Sequence, residues 1–178
     1  MTRVSYEFKA RLKREAHVRA ALKKLRARYV GMDHQVDTYF RVPAGRLKVR
    51  EGRIENALIF YERADQPRAR RSRIQLMPLP RRNAVKAVLA AALGVRAVVN
   101  KRREIYFVGN VKVHLDRVQG LGKFLEVEAI GKSPGRRRRP EAREFRDQAR
   151  RFQKLFLIKD SEILPESYSD LVLRKRVR

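Results

Sequence analysis

The sequence predicts an α+β fold in which roughly eight strands form an antiparallel β-barrel with a polar interior and helices packed outside. The first observation is that charged residues occupy alternate positions in several β-like segments. Because successive side chains of a strand point to opposite faces, each such segment has one charged face and one apolar face. The second observation is that short turns join most neighbouring segments, which favours antiparallel pairing. Closure of these strands would bring the charged faces together around a cavity.

The first half of the chain alternates predicted strands with one predicted helix. Residues 14–29 carry apolar side chains three and four positions apart, which predicts an amphipathic helix that ends at Gly31. The Pro43-Ala44-Gly45 segment predicts the turn of a hairpin, and residues 65–71 predict a loop rich in proline and arginine. The strands predicted around these features are residues 4–12, 35–42, 46–51, 57–64 and 72–77.

The second half contains the remaining predicted strands and two further helices. Residues 82–93 have helical spacing and are closed by Gly94. Strands 95–108 and 111–118 flank Gly109-Asn110, a two-residue turn typical of a hairpin. A tight turn at Gly120 and Gly122 leads into a strand over 123–130, a basic loop follows over 131–140, and residues 140–157 predict the last helix.

Composition limits the classes of function. The chain has 178 residues, enough for one domain over residues 1–178, and its 45 basic against 19 acidic residues give a net charge of +26. Such a charge favours polyanionic partners. The absence of cysteine excludes disulfides and thiolate metal sites. No apolar run reaches the roughly 20 residues of a membrane span, and charges interrupt the N-terminal segment where a signal peptide would be apolar. We therefore expect a cytoplasmic protein without a membrane partner.

The alternating charges suggest a site for a polyphosphate with a divalent cation. Arginine offers a planar fork that matches phosphate oxygens, and lysine offers a compact charge. Carboxylates suit hard cations such as Mg²⁺. A solvated strand face is the alternative explanation, and for a lone E-x-E pattern it is the commoner one. The basic and acidic residues at alternate strand positions are Glu7, Lys9, Lys48, Arg50, Arg63, Lys101, Arg103, Asp116, Glu126 and Glu128.

Two other kinds of site are not supported by the sequence. His17, His34 and His114 do not have the spacing of a zinc site. No G-x-x-x-x-G-K-[ST] loop is present, so phosphate is not held in the P-loop manner.

A series of motifs carries a resemblance to a known family. In chain order they are V-S-Y-E-F-K, D-T-Y-F, G-R-L-K-V-R-E, L-I-F-Y-E-R-A-D, N-K-R-R-E-I-Y, V-H-L-D-R-V-Q-G-L-G-K-F-L-E-V-E and Y-S-D-L-V-L. Together they resemble the CYTH domain of the triphosphate tunnel metalloenzymes, and within it the class IV adenylate cyclase-like branch. The resemblance spans residues 4–173, and the L-D-x-V-x-G-L-G-x-F-x-E-x-E stretch is its most specific part.

The resemblance implies an eight-stranded antiparallel tunnel that binds a triphosphate through inward lysine and arginine side chains. The residues that it assigns to triphosphate binding are Lys9, Lys48, Arg50, Arg63, Lys101 and Arg103. All of these except Lys48 are also assigned to catalysis. His114 shares the inward face with Asp116 and is grouped with the substrate-binding residues, although a polar wall residue is the alternative. The residues that it assigns to Mg²⁺ or Mn²⁺ are Glu7, Asp116, Glu126 and Glu128.

Two departures from the family pattern bear on activity. The family opens with E-x-E-x-K, but this chain has Ser5 at the position of the first carboxylate. Serine keeps an oxygen and loses the charge, which would weaken one metal position, change the metal preference, or abolish turnover while polyphosphate binding survives. After Arg71 a short motif ending in an aromatic residue is expected, and R-S-R-I stands there instead. We therefore expect recognition of the base or of the leaving group to differ from the family pattern.

Three functions follow from the resemblance. The first is cyclisation of ATP to cyclic AMP and pyrophosphate. The second is hydrolysis of thiamine triphosphate, inorganic triphosphate or an RNA 5′-triphosphate in the same tunnel. The third is a non-catalytic module that binds nucleotides or polyphosphate, for which the basic runs 136–139 and 174–178 offer additional non-specific contacts. A homodimer is kept as an open alternative to a monomer.

Overall fold

Eight strands and four α-helices make up the described part of the chain, which in this computed structural model comprises residues 2–63, 70–131 and 142–176. The strands are β1 (Thr2–Arg11), β2 (Arg28–Phe40), β3 (Arg46–Glu51), β4 (Ala57–Arg63), β5 (Arg70–Pro78), β6 (Val95–Val108), β7 (Val111–Val118) and β8 (Gly122–Gly131). The helices are α1 (Glu15–Lys24), α2 (Val85–Leu93), α3 (Ala142–Leu155) and α4 (Tyr168–Arg176), with a 3₁₀ turn at Asp160–Glu162.

The strands close into a barrel in the order β1-β5-β4-β3-β2-β6-β7-β8, and every pairing is antiparallel. Two hairpin series, β2 to β5 and β6 to β8, are joined through the pairing of β2 with β6. Strand β1 closes the ring because it pairs with β5 on one side and β8 on the other. The predicted antiparallel eight-stranded barrel with helices outside is confirmed.

One hydrophobic core lies between the barrel and the helices. The outward side chains of β1, β7 and β8 pack against α1 and α3, and Phe8, Leu125 and Phe152 are among the buried members of this core. These positions alternate with Lys9 and Glu126 on the inner face. The alternation of charged and apolar residues in the sequence therefore separates a polar interior from an apolar exterior that the helices cover.

A second apolar cluster closes one end of the barrel. Tyr168 and Leu171 of α4 pack against Tyr39, Val99 and Phe124, whose positions share the inner strand faces with the charged residues. The ring of Tyr168 meets that of Phe124 edge to face at 5.0 Å. Helix α4 is thus a plug, and its first residues reach the interior.

The first predicted helix is too long. Helix α1 ends at Lys24 because Arg26 has a left-handed conformation (φ 50°), and the backbone N–H groups of Arg26 and Ala27 bond to the carbonyls of Lys23 and Leu22. This is the Schellman arrangement, which glycine usually terminates. Gly31 does not end a helix, since it lies inside β2 at φ 145° beside a register shift. Strand β2 accordingly begins at Arg28 rather than at residue 35.

Other predicted bounds agree closely or lie outside the described residues. Strands β3, β6 and β7 have the predicted limits, whereas the helix predicted from residue 82 begins at Val85. The predicted loops fall largely on residues 64–69 and 132–141, and with them the basic run 136–139, outside the described part of the chain. The final basic run contributes its first three residues to α4. Within the described ranges, no helix is long and apolar enough to cross a bilayer.

Candidate functional site

A cavity of about 340 Å³ occupies the barrel interior. Its volume is that of a small-molecule site. Charged side chains from β1, β3, β6, β7 and β8 line one part of it, and Ser167 and Tyr168 reach it from the plug. The cavity therefore forms because alternate strand residues point inward and helix α4 closes one end of the barrel.

Three cations converge on the carboxylate of Asp37 in β2. Lys101 Nζ lies 2.6 Å and Lys48 Nζ 2.9 Å from Oδ2, while Arg50 donates from Nε and Nη2 at 2.8 and 3.0 Å. Burial opposes ionisation of Asp37, but Arg50, Lys101 and Lys48 outweigh it and hold the pKa of Asp37 well below its usual range. Burial, together with Arg50 and Arg103, lowers the pKa of Lys101 well below its usual range, against the attraction of Asp37.

A second ionic cluster forms around Arg103 in β6. Its guanidinium donates to both oxygens of Asp116 at 2.7 and 2.5 Å and to Glu126 at 2.5 Å. The hydroxyl of Tyr168 donates to Asp116 at 2.7 Å. Lys9 Nζ lies 3.7 Å from Glu126 and 3.8 Å from the centre of the Tyr168 ring. Each cation is therefore held at a fixed place by a carboxylate or an aromatic face.

His114 lies beside this cluster as a neutral group. Its Nδ1 is 3.6 Å from Glu126, longer than a hydrogen bond, and neither ring nitrogen has a hydrogen-bond partner among the described residues. Burial, with the nearby Arg103 guanidinium, lowers the pKa of His114 to about 4. The imidazole is uncharged near neutral pH.

A buried carboxylate fixes the turn between β3 and β4. Asp33 accepts hydrogen bonds from the backbone N–H groups of Arg53, Ile54 and Glu55 at 2.7, 3.1 and 3.0 Å. The turn projects the Glu55 side chain into the cavity, where it receives Arg50 Nη1 at 2.7 Å and also contacts Lys112. Asp33 is completely buried, so it stabilises the turn away from the cavity.

An acidic pair lies where β1 meets β8. Glu7 and Glu128 are directly opposed in the strand register, and both line the cavity. Burial and the charge of Glu7 raise the pKa of Glu128 to about 7, with Lys112 acting in the opposite direction. Such a pair of carboxylates stabilises a cation placed between them.

The donor set near this pair suits a hard cation only in part. Magnesium commonly takes one or two carboxylates and completes its shell with phosphate oxygens and water, which Glu7 and Glu128 would permit. In the described portion of the chain, no group of three or more histidine, aspartate or glutamate side chains is arranged to hold a metal. The hydroxyl of Ser5, two positions before Glu7, is buried and has no hydrogen-bond partner among the described residues. Asp116 and Glu126 bind Arg103, so their assignment to metal stays a prediction.

The structure gathers most of the predicted site residues inside the barrel. Lys101 and Asp116 lie behind the cavity surface and act through their ion pairs. Arg63 ends β4 opposite Ser72, and its side chain is outside the described part of the chain. The predicted residues that line the cavity are Glu7, Lys9, Lys48, Arg50, Arg103, His114, Glu126 and Glu128.

Sequence reasoning did not select four residues of the site. Asp37 lies two positions before Tyr39, and Lys112 lies two positions before His114, so each shares the inner strand face with that residue. Strand alternation alone could therefore have predicted that both line the cavity. Glu55 follows no strand period because it lies in a turn. Tyr168 reaches the cavity from helix α4 and not from a strand, so strand alternation does not point to it.

Comparison with known proteins agrees with this architecture. The family model described as CYTH domain matches residues 4–155. A protein of Pyrococcus horikoshii OT3 is 24% identical, with 94% of this chain and 98% of that chain covered at a TM-score of 0.76. A putative adenylate cyclase from Vibrio parahaemolyticus is 18% identical, with 95% and 97% covered at 0.74. A putative adenylyl cyclase from Hippeastrum, described as having a dominant triphosphatase activity, is 11% identical, with 99% and 96% covered at 0.59. No curated protein matches the chain.

Proposed function

Because the chain belongs to the CYTH domain family, we propose that it is an enzyme that binds a triphosphate and a divalent metal inside its barrel and cleaves the phosphate chain. The observation that carries this proposal is the ionic lining of the cavity. Lys48, Arg50 and Arg103 face the cavity while carboxylates hold them in place. Cations fixed in this way before a ligand arrives need little reorganisation when a polyanion binds.

The charge balance supports polyanion binding. Around Asp37, three cations meet one carboxylate, so the group keeps an excess of positive charge. Glu55 compensates part of that excess through Arg50. Two or more phosphate groups would supply the remaining negative charge, and bidentate contact with Arg50 would orient them.

Each side of the cavity has a separate role in the proposed reaction. Lys48, Arg50 and Arg103 stabilise the negative charge that develops on the departing phosphates. Glu7 and Glu128 would hold Mg²⁺ or Mn²⁺, which when bound withdraws charge from phosphate oxygens. Lys9 is oriented by the Tyr168 ring and Glu126 and adds a further cation near this acidic pair.

ATP cyclisation is the first candidate reaction. The 3′-hydroxyl of ATP would attack the α-phosphorus, pyrophosphate would leave, and an inward carboxylate would accept the hydroxyl proton. The fold shared with the putative adenylate cyclase of Vibrio parahaemolyticus supports this candidate.

Hydrolysis is the second candidate, with water in place of the ribose hydroxyl. The shared fold of the Hippeastrum protein, which is described as a dominant triphosphatase, supports it. Thiamine triphosphate, inorganic triphosphate and an RNA 5′-triphosphate are the substrates to compare with ATP.

The test is an activity panel with Mg²⁺ or Mn²⁺ in which cyclic AMP and phosphate are both quantified for each triphosphate. The active-site variant is Glu7→Gln with Glu128→Gln, and the matched control is Glu51→Gln, an exposed carboxylate of β3 paired with Lys86. We expect turnover in the wild type and control and its loss in the double variant. Triphosphate binding without any turnover would contradict the enzymatic proposal and favour a binding module marked by Ser5.

A further inference from the structure

Among the described residues, one side of the cavity is lined mainly by apolar side chains. Where β4 and β5 face the interior, five inward positions are apolar and form an apolar wall, defined as Ala57, Ile59, Ile74, Leu76 and Pro78. Tyr61, the strand partner of Ile74, borders this wall and also lines the cavity. Strand register makes this wall continuous, because Ala57 pairs with Pro78 and Ile59 pairs with Leu76. Its border is sharp, since Lys48 of β3 is the direct neighbour of Ile59.

Packing of the hydrophobic cores does not account for the apolar wall. None of its five members belongs to either core cluster of the described residues: one cluster lies under α1 and α3, and the other is the plug at the barrel end. Ile74 and Leu76 are only partly buried although they point inward. Aliphatic surface left facing a wet cavity costs free energy, on the order of 25 cal/mol per Å². A ligand that covers the wall recovers that cost.

The position of the wall relative to the cations indicates what such a ligand must look like. In the closed ring, β4 and β5 stand opposite β7 and β6, which carry Lys112, His114 and Arg103 on their inner faces. A ligand that spans the interior therefore meets cations at one side and the apolar wall at the other. Inorganic triphosphate is charged along its whole length and has no part that suits the aliphatic side.

We propose that the apolar wall is the subsite for the uncharged organic group of a triphosphate ester, so that the chain prefers such esters to inorganic triphosphate. This proposal rests on the function proposed above and adds the class of substrate. A flat heterocycle, as in a nucleoside triphosphate, offers enough apolar area to cover Ile59 and Leu76, whereas a methyl ester does not. The five wall side chains carry no hydrogen-bonding group, so they select for the presence of a ring rather than for one base.

Equilibrium binding in EDTA, where metal-dependent turnover stops, tests the wall directly. Titrations would compare ATP, GTP, methyl triphosphate and inorganic triphosphate. We expect ATP and GTP to bind about tenfold or more tightly than the other two, from the apolar area covered. Equal affinity of ATP and inorganic triphosphate for the wild-type protein would overturn the inference and leave the proposed function standing. Failure of all four ligands to bind, both in EDTA and with a divalent cation present, would overturn both.

Variants separate a subsite from a merely structural lining. Ile74→Ser and Leu76→Ser should weaken ATP binding about tenfold and leave inorganic triphosphate within about twofold. Met77→Ser is the matched control, because Met77 lies on the same strand next to Leu76 and is 50% exposed. Equal losses for ATP and inorganic triphosphate in the two wall variants would show that the wall only supports the barrel. If a variant does not fold, the comparison of ATP with inorganic triphosphate on the wild-type protein still tests the proposal.

Discussion

Lys101 Nζ lies 2.6 Å from Asp37 Oδ2, and the two side chains are 0% and 1% exposed. Lys101 is therefore a buried partner of Asp37 rather than a group on the cavity surface. Through that carboxylate it is connected to Lys48 and Arg50, which do face the cavity. Asp37 acts as the common anchor of three cations, and its removal should affect all of them.

Replacement of Asp37 by asparagine should destabilise the ligand-free protein by about 3 kcal/mol, because it leaves buried cations without their counter-charge. Chemical denaturation would measure this loss. Saturating triphosphate should restore more stability to Asp37→Asn than to the wild type, since the added polyanion replaces the missing charge. Glu51→Gln removes an exposed ion pair and should change stability by less than about 1 kcal/mol. An Asp37→Asn protein as stable as the wild type would contradict the anchor role.

The pH dependence of stability should contain two opposed contributions that single variants separate. The pKa of Glu128 is raised from 4.5 to about 7, so the folded state binds more protons than the unfolded state and stability falls as pH rises through that window. The pKa of His114 is lowered from 6.5 to about 4, so the unfolded state binds more protons and stability rises with pH over its window. The two slopes oppose each other between roughly pH 4.5 and 6.5.

In metal-free buffer, Glu128→Gln should therefore show stability that increases with pH more steeply than in the wild type. His114→Asn should show the reverse, a greater loss of stability towards pH 7. Each difference should reach at most roughly 3.5 kcal/mol, the value of a pKa change of about 2.5. Denaturant titrations at several pH values would measure both slopes. Parallel pH profiles for the wild type and the two variants would contradict these assignments.

Tyr168→Phe should separate two contributions to stability: the hydrogen bond from Tyr168 to Asp116 and the packing of the Tyr168 ring. The substitution removes the donor to Asp116 but keeps the ring that packs on Phe124 and lies under Lys9. We expect a loss of about 1.5–3 kcal/mol, as for a buried hydrogen bond to a charged group. Tyr168→Leu should cost more, because the cation–π contact is also lost. Thermal and chemical unfolding would measure both, and equal stability of the two variants would contradict the role of the ring.

Asp33→Ala should loosen the turn between β3 and β4. Three backbone N–H groups, those of Arg53, Ile54 and Glu55, lose their acceptor. We expect faster hydrogen exchange at these amides and weaker triphosphate binding, because Glu55 no longer holds Arg50 at 2.7 Å. Asp33→Asn keeps one acceptor oxygen and should show a smaller effect. Unchanged exchange at the three amides would show that the turn is stable without the carboxylate.

Strand alternation was sufficient to predict the barrel and the inner position of many site residues. Lys9, Arg50 and Glu128 face inward because their parity is fixed once one face of each strand packs against helices or neighbouring core residues. The limits of β6 and β7 were predictable since Gly109 supplies the positive φ that their turn requires.

The remaining features depend on contacts between distant parts of the chain. The end of α1 was not predictable because Arg26, not glycine, takes the left-handed position there. Glu55 becomes a site residue only through Asp33, which is 22 positions earlier in the sequence. The convergence of three cations on Asp37 requires the β2–β6 pairing as well as the β2–β3 hairpin, and no local pattern contains that information.

The plug lies C-terminal to the segment that the family model matches. The family match ends at residue 155, yet Tyr168 of α4 holds Asp116 and caps the barrel end. A fragment excised at the boundary of the match would leave Phe124 and Val99 open to water and Asp116 with one donor fewer. Any recombinant design, domain fusion or C-terminal tag for this protein should therefore preserve the final helix as part of the barrel.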